Sequence, residues 1–241
     1  MRLTRKQLNN LIKNFLNENL GLDSSSIQGK IYFAYRNITG TENIAGDIFP
    51  GLKAGHAWVM VEDPSTGKLT SYSGKSGIDF ELPDIAKRLT LGRDNRADSI
   101  FQKVNNAYSR GEVSKEVVMS IIEETDWKNL RKLKDWESDQ FEKADTVIEV
   151  MPRYDLGDNQ EKLINSIMMV EKAFQSYQED LPYDPIPGSE SAIPEARNSN
   201  SFAYTLLRSF LNENEIRERI GNLSIKLPGW GLEIKSMLKE N

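Results

Sequence analysis

Residues 55 to 74 constrain the fold more than any other stretch of the chain. GHAWVMVED (55 to 63) has the apolar, β-branched and aromatic content of a strand. DPSTG (63 to 67) is turn chemistry, and KLTSYSG (68 to 74) runs back as the second arm of a hairpin. Alternate side chains of a strand share a face, so His56, Trp58 and Met60 are expected on one side and Ala57, Val59 and Val61 on the other. Pairing Glu62 with Lys68 sets Trp58 opposite Tyr72, with Tyr72 diagonally beside His56.

Elsewhere, KIYFAYR (30 to 36) and DTVIEVM (145 to 151) read as further strands. RNSNSFAYTLLRSF (197 to 210) carries Phe202, Leu206, Leu207 and Phe210 at helical spacing, which predicts a buried helix that starts near Ser199 to Ser201. The four prolines between Pro182 and Glu195 make the segment before it irregular. Residues 159 to 179 form another helical stripe through Leu163, Ile164, Ile167, Met168, Val170 and Phe174, with Met168 and Met169 expected as core filler. LPGWG (227 to 231) is a closing turn expected to bury Trp230.

The stretch from 82 to 145 reads as an inserted helical layer, with one helix over 114 to 124 and another segment over 127 to 141. At the N-terminus, Leu8, Leu11, Ile12, Phe15 and Leu16 give residues 1 to 21 an amphipathic helix that could dock on the body or bind a protein partner. The expected fold class is therefore α+β. A small antiparallel sheet of residues 30 to 36, 56 to 62, 68 to 74 and 146 to 151 packs on the 199 to 211 helix. The helical insertion and the N-terminal helix are additions to one domain spanning 28 to 241.

Composition removes several chemistries. The chain of 241 residues has one His and no Cys, so there is no disulfide, no thiolate nucleophile and no multi-histidine metal site. A catalytic imidazole can only be His56. With 31 Lys and Arg against 36 Asp and Glu there is no basic stripe for nucleic acid. The longest apolar run is far shorter than a membrane-spanning helix, and no secretory signal is legible, so the chain is expected to be cytoplasmic when made. No cofactor is called for.

Two motifs remain: the sole His opening a strand, and Asn198-Ser199-Asn200-Ser201-Phe202 opening a buried helix. A hydroxyl at a helix N-terminus gains from the dipole and from free N–H groups that can hold an oxyanion, and an imidazole on a neighbouring strand can take its proton. Gly55-His56-Ala57-Trp58-Val59 followed by a hairpin, and then the Asn198 to Phe202 block, occur in the order that resembles the circularly permuted papain-like hydrolases related to the NlpC/P60 group. Tyr183-Asp184-Pro185 and Pro228-Gly229-Trp230 flank the second block as in bacterial and phage-borne members. Where that family carries its cysteine, this chain has Ser199.

The resemblance implies a hydrolase or acyltransferase acting on an amide or ester bond. Ser199 would be the nucleophile and His56 the base, with main-chain N–H groups at 199 and 200 as oxyanion donors. The motif does not fix the third member: Tyr72 is favoured by the expected register, with Glu62 and Asp79 open. Asn198, Asn200, Trp58 and Tyr183 would line the substrate site. The substrate would be a peptide, a cell-wall crosslink or a lipid ester. The alternative is an inactive papain-like fold that serves as a binding or structural module of a phage or secretion particle, carried in a virion or exported by a non-classical route. On that alternative Ser199 is only a helix cap and His56 a core histidine.

Overall fold

The computed structural model describes residues 29–37, 55–76, 84, 97–125, 127, 129–136, 139–151, 158–185, 195–221 and 227–238. The amphipathic segment at 1–21, and Asp79, lie outside them.

Five strands form one antiparallel sheet: β1 (Ile31–Asn37), β2 (Gly55–Glu62), β3 (Leu69–Ser76), β4 (Leu130–Lys134) and β5 (Thr146–Met151), in the order β4-β3-β2-β1-β5. Helices α1 (Ala97–Ser109) and α2 (Lys115–Glu124) fall between β3 and β4; α3 (Asp158–Ser176), α4 (Ser199–Arg208), α5 (Glu213–Ile220) and α6 (Lys235–Leu238) follow β5. The architecture is mixed α and β, as expected. Among the described residues no helix is long and apolar enough to cross a membrane.

β2 is central and is buried from Gly55 to Val61, so both of its faces are covered. Ala57, Val59 and Val61 join Ile31, Phe33 and Tyr35 of β1 in the main core, against Phe202, Ala203 and Leu206 of α4 and Val170 and Phe174 of α3. Trp58 and Met60 lie on the other face with Ala34 of β1, covered by Tyr32, Ala144 and Val147.

β2 and β3 pair only as far as Val59↔Tyr72. Beyond that rung α4 comes close to β3 at Gly74. A Cβ built there would lie 2.8 Å from the Cβ of Phe202 and 2.9 Å from a methyl of Leu130, a clash that glycine avoids.

Three expectations are corrected. The hairpin register is Glu62↔Leu69, one residue from the expected Glu62–Lys68: Asp63 N–H donates to Lys68 O at 2.9 Å, which continues the ladder by one rung and leaves residues 64–67 as the loop. A one-residue slip moves a side chain to the other face. Tyr72 accordingly pairs with Val59 and packs edge-on against Phe174 in the main core, on the side of the sheet away from Trp58.

The 127–141 segment is not a helix. Its described residues hold β4 and a turn at Asp135 with φ 53, and end where one turn of 3-10 helix begins at Phe141–Lys143. The outer edge of β4 is closed by the chain after α3: Leu130 N–H donates to Leu181 O at 2.8 Å, Lys132 N–H to Glu179 Oε1 at 3.1 Å, and Tyr177 hydroxyl to Leu130 O at 2.8 Å. Finally, Met168 and Met169 are exposed, 63% and 49%, while Leu163, Val170 and Phe174 carry the buried stripe of α3. Trp230 is half-buried, packed edge-on against Phe33 and Tyr204.

Candidate functional site

The N-terminus of α4 is tied by its own side chains to main-chain groups from three other places. Asn198 is the cap: its Oδ1 accepts from the Asn200 and Ser201 N–H groups, each at 3.0 Å, and Ser201 completes a capping box. Its amide donates to Pro185 O at 3.1 Å and Pro228 O at 2.9 Å. Asn200 donates to the same Pro228 O at 3.0 Å, and Ser201 hydroxyl to Gly229 O at 3.0 Å. Where β3 has parted from β2, Ala57 N–H donates to Asn200 Oδ1 at 3.1 Å, so a helix side chain supplies the acceptor that a neighbouring strand would offer.

Ser199 is therefore not the cap. Its hydroxyl makes no hydrogen bond among the described residues, although the residue is only 5% exposed, and it is not one of the fully buried polar atoms left without a partner. The Asn200 N–H, expected as an oxyanion donor, is taken by Asn198; the Ser199 N–H has no such partner among the described residues.

His56 opens β2 and turns to the Trp58 face, where the two rings stack at 5.5 Å with 24° between planes. Its Nε2 lies 2.9 Å from Oδ1 of Asp139, a carboxylate side chain with no exposure. With the carboxylate as acceptor Nε2 is the donor, and in that neutral tautomer Nδ1 has the lone pair. Nδ1 has no partner among the described residues, in a side chain 9% exposed. Trp136 meets the ring edge-on at 5.9 Å and carries Lys75 Nζ 3.9 Å above its own face.

The expected residues are thus partly gathered. Ser199 and His56 are the chain neighbours of Asn200 and Ala57, the two residues joined by the 3.1 Å bond, but the His56 ring lies on the Trp58 face of the sheet while α4 packs on the other. No hydrogen bond joins their side chains. Tyr72 is on the opposite face, near Lys134 and Phe174, where burial raises its phenol above the ordinary range. Glu62 is at the far end of β2, within 3.5 Å of Tyr32 hydroxyl. Tyr183 pairs with Arg197 beside the cap and packs near Trp127.

The group that holds His56 is Asp139, from the stretch expected to be an inserted helical layer. Nothing in the spacing of WESDQ marks it; only its complete burial against the imidazole does. A cavity of about 310 Å³ lined by Phe33, Tyr204, Ile216, Ile220, Leu227 and Trp230 lies elsewhere and includes neither Ser199 nor His56. Among the described residues no group of three or more His, Cys, Asp or Glu side chains is gathered to hold a metal. Compared with protein-family models, curated proteins and solved structures, the chain matches none.

Proposed function

We propose that the protein is a hydrolase or acyltransferase of the permuted papain-like kind, acting on an amide or ester through Ser199, His56 and Asp139. The observation that carries the reading is the 2.9 Å bond from a buried carboxylate to His56 Nε2, which leaves Nδ1 available as a base one residue along β2 from the Ala57 N–H that holds the start of α4. In the reaction Ser199 Oγ attacks the carbonyl carbon as Nδ1 takes its proton. The oxyanion is held by the Ser199 N–H at the positive end of α4. Collapse expels the amine or alcohol with the proton from His56, and water or a second acceptor resolves the acyl-serine by the same steps reversed. The substrate is a peptide, cell-wall or lipid carbonyl.

One observation favours a second reading, a binding or structural module that keeps the fold without activity. Ser199 and His56 are 5% and 8% exposed and are not bonded to each other. Labelling with a serine-reactive fluorophosphonate separates the two. A covalent adduct that is lost in Ser199→Ala and in His56→Ala supports catalysis. Absence of a Ser199-dependent adduct, with no thiol reactivity gained in Ser199→Cys, favours the module.

A further inference from the structure

Among the described residues three buried side-chain polar atoms have no hydrogen-bond partner: Trp58 Nε1, Ser73 Oγ and Asp139 Oδ2. They are not scattered. Trp58 stacks on His56, and Asp139 holds the same imidazole by its other oxygen. Ser73 and Trp58 are the next residues along β3 and β2 after the Tyr72↔Val59 rung, and Ser73 follows Tyr72, which faces the main core, so it points to the Trp58 side. All three residues are nearly sealed, with exposures of 0%, 1% and 1%.

The chemistry of the set is complementary: an indole N–H that can only donate, a carboxylate oxygen that can only accept, and a hydroxyl that does either. Buried polar groups are satisfied almost without exception, and a buried water typically makes about three hydrogen bonds to such groups. We propose that Trp58 and Ser73 are positioning residues for the Asp139–His56 pair, acting through one buried water. That water accepts from Trp58 Nε1–H, donates to Asp139 Oδ2 and takes its third bond from Ser73. It fixes the carboxylate, and through it the ring of His56, on the side away from α4. No substrate takes part, so the pair is held in the same way whether or not Ser199 acylates.

The sole histidine makes the test clean, because the full chain has one imidazole N–H to follow by NMR. The Trp58 indole proton is expected to show a direct magnetisation contact with a long-lived water, and Ser73→Ala is expected to remove it. Ser73→Ala and Trp58→Phe should each speed solvent exchange of the His56 Nε2 proton about fivefold, the factor a hydrogen bond of ordinary strength is worth. Ser71→Ala, a substitution two residues away on the same strand face, should leave that exchange unchanged. If the indole proton meets no long-lived water, or if Ser73→Ala and Ser71→Ala act alike, the proposal is overturned. Should Trp58→Phe fail to fold, the wild-type water contact and Ser73→Ala still decide it.

Discussion

Asn198 makes the most quantitative prediction. Its Oδ1 caps α4 through two N–H groups while its amide ties the helix start to Pro185 O and Pro228 O, all at 2.9–3.1 Å, in a residue 2% exposed. Loss of a cap of this type costs about 1 kcal/mol. Each of the two donated bonds is worth about another 1 kcal/mol. Pro228 O keeps the bond from Asn200, so only Pro185 O loses the donor described here. Asn198→Ala should therefore destabilise the fold by about 3 kcal/mol. Asn198→Ser keeps a capping oxygen but cannot reach either carbonyl, so it should cost about 2 kcal/mol. In urea, with a slope of about 3 kcal/mol per molar for a chain of this size, the midpoints should fall by about 1 M and about 0.7 M. A shift below about 0.2 M for Asn198→Ala, or a serine variant no better than the alanine one, would refute the account of the clamp.

Other substitutions test other parts of the structure. Asp139→Ala leaves His56 Nε2 buried without its acceptor and should cost about 1–3 kcal/mol in denaturant melts, whereas Tyr72→Phe, on the opposite face, should leave the His56 imidazole resonances unmoved. Gly74→Ala forces a methyl against Phe202 and Leu130 and should lower stability by about 1–3 kcal/mol, checked by thermal unfolding. Burial and the nearby Asp145 push the Tyr35 phenol up to about 12 from an ordinary value near 10. The fold favours its neutral form, so this stabilisation is complete below pH about 10 and drains as pH rises toward about 12. Tyr35→Phe should flatten that part of the alkaline unfolding curve, followed by circular dichroism beside phenolate absorbance.

The strands and the buried helix were legible because their signals are local: the alternation in GHAWVMVE, and Phe202, Leu206 and Leu207 at helical spacing after a cap. What failed was non-local or single-residue. The hairpin register turned on one backbone hydrogen bond at Asp63, and that single step carried Tyr72 to the wrong face. LRKLK hid a strand because it is an edge whose exposed positions are charged, and its partners at Glu179 and Leu181 come from a distant part of the chain. Asp139 could not be found by pattern, since an aspartate in a polar loop looks solvated until the fold closes over it. The capping assignment shifted by one residue, from Ser199 to Asn198, and that shift leaves the serine hydroxyl uncommitted.

The bond from Ala57 N–H to Asn200 Oδ1 joins residues 143 apart in sequence, and this has a kinetic consequence. The β2–β3 hairpin is a local structure that can form in microseconds, but closing a loop of that length opposes assembly by about 4 kcal/mol of chain entropy before any contact compensates it. Until α4 arrives, the start of β2 has an unpaired ladder group beside a row of apolar side chains, the kind of strand end that recruits other chains. Folding intermediates that contain the hairpin without the helix should therefore be the aggregation-prone species. Refolding yield should fall with protein concentration and rise when the 195–221 segment is helped to dock early.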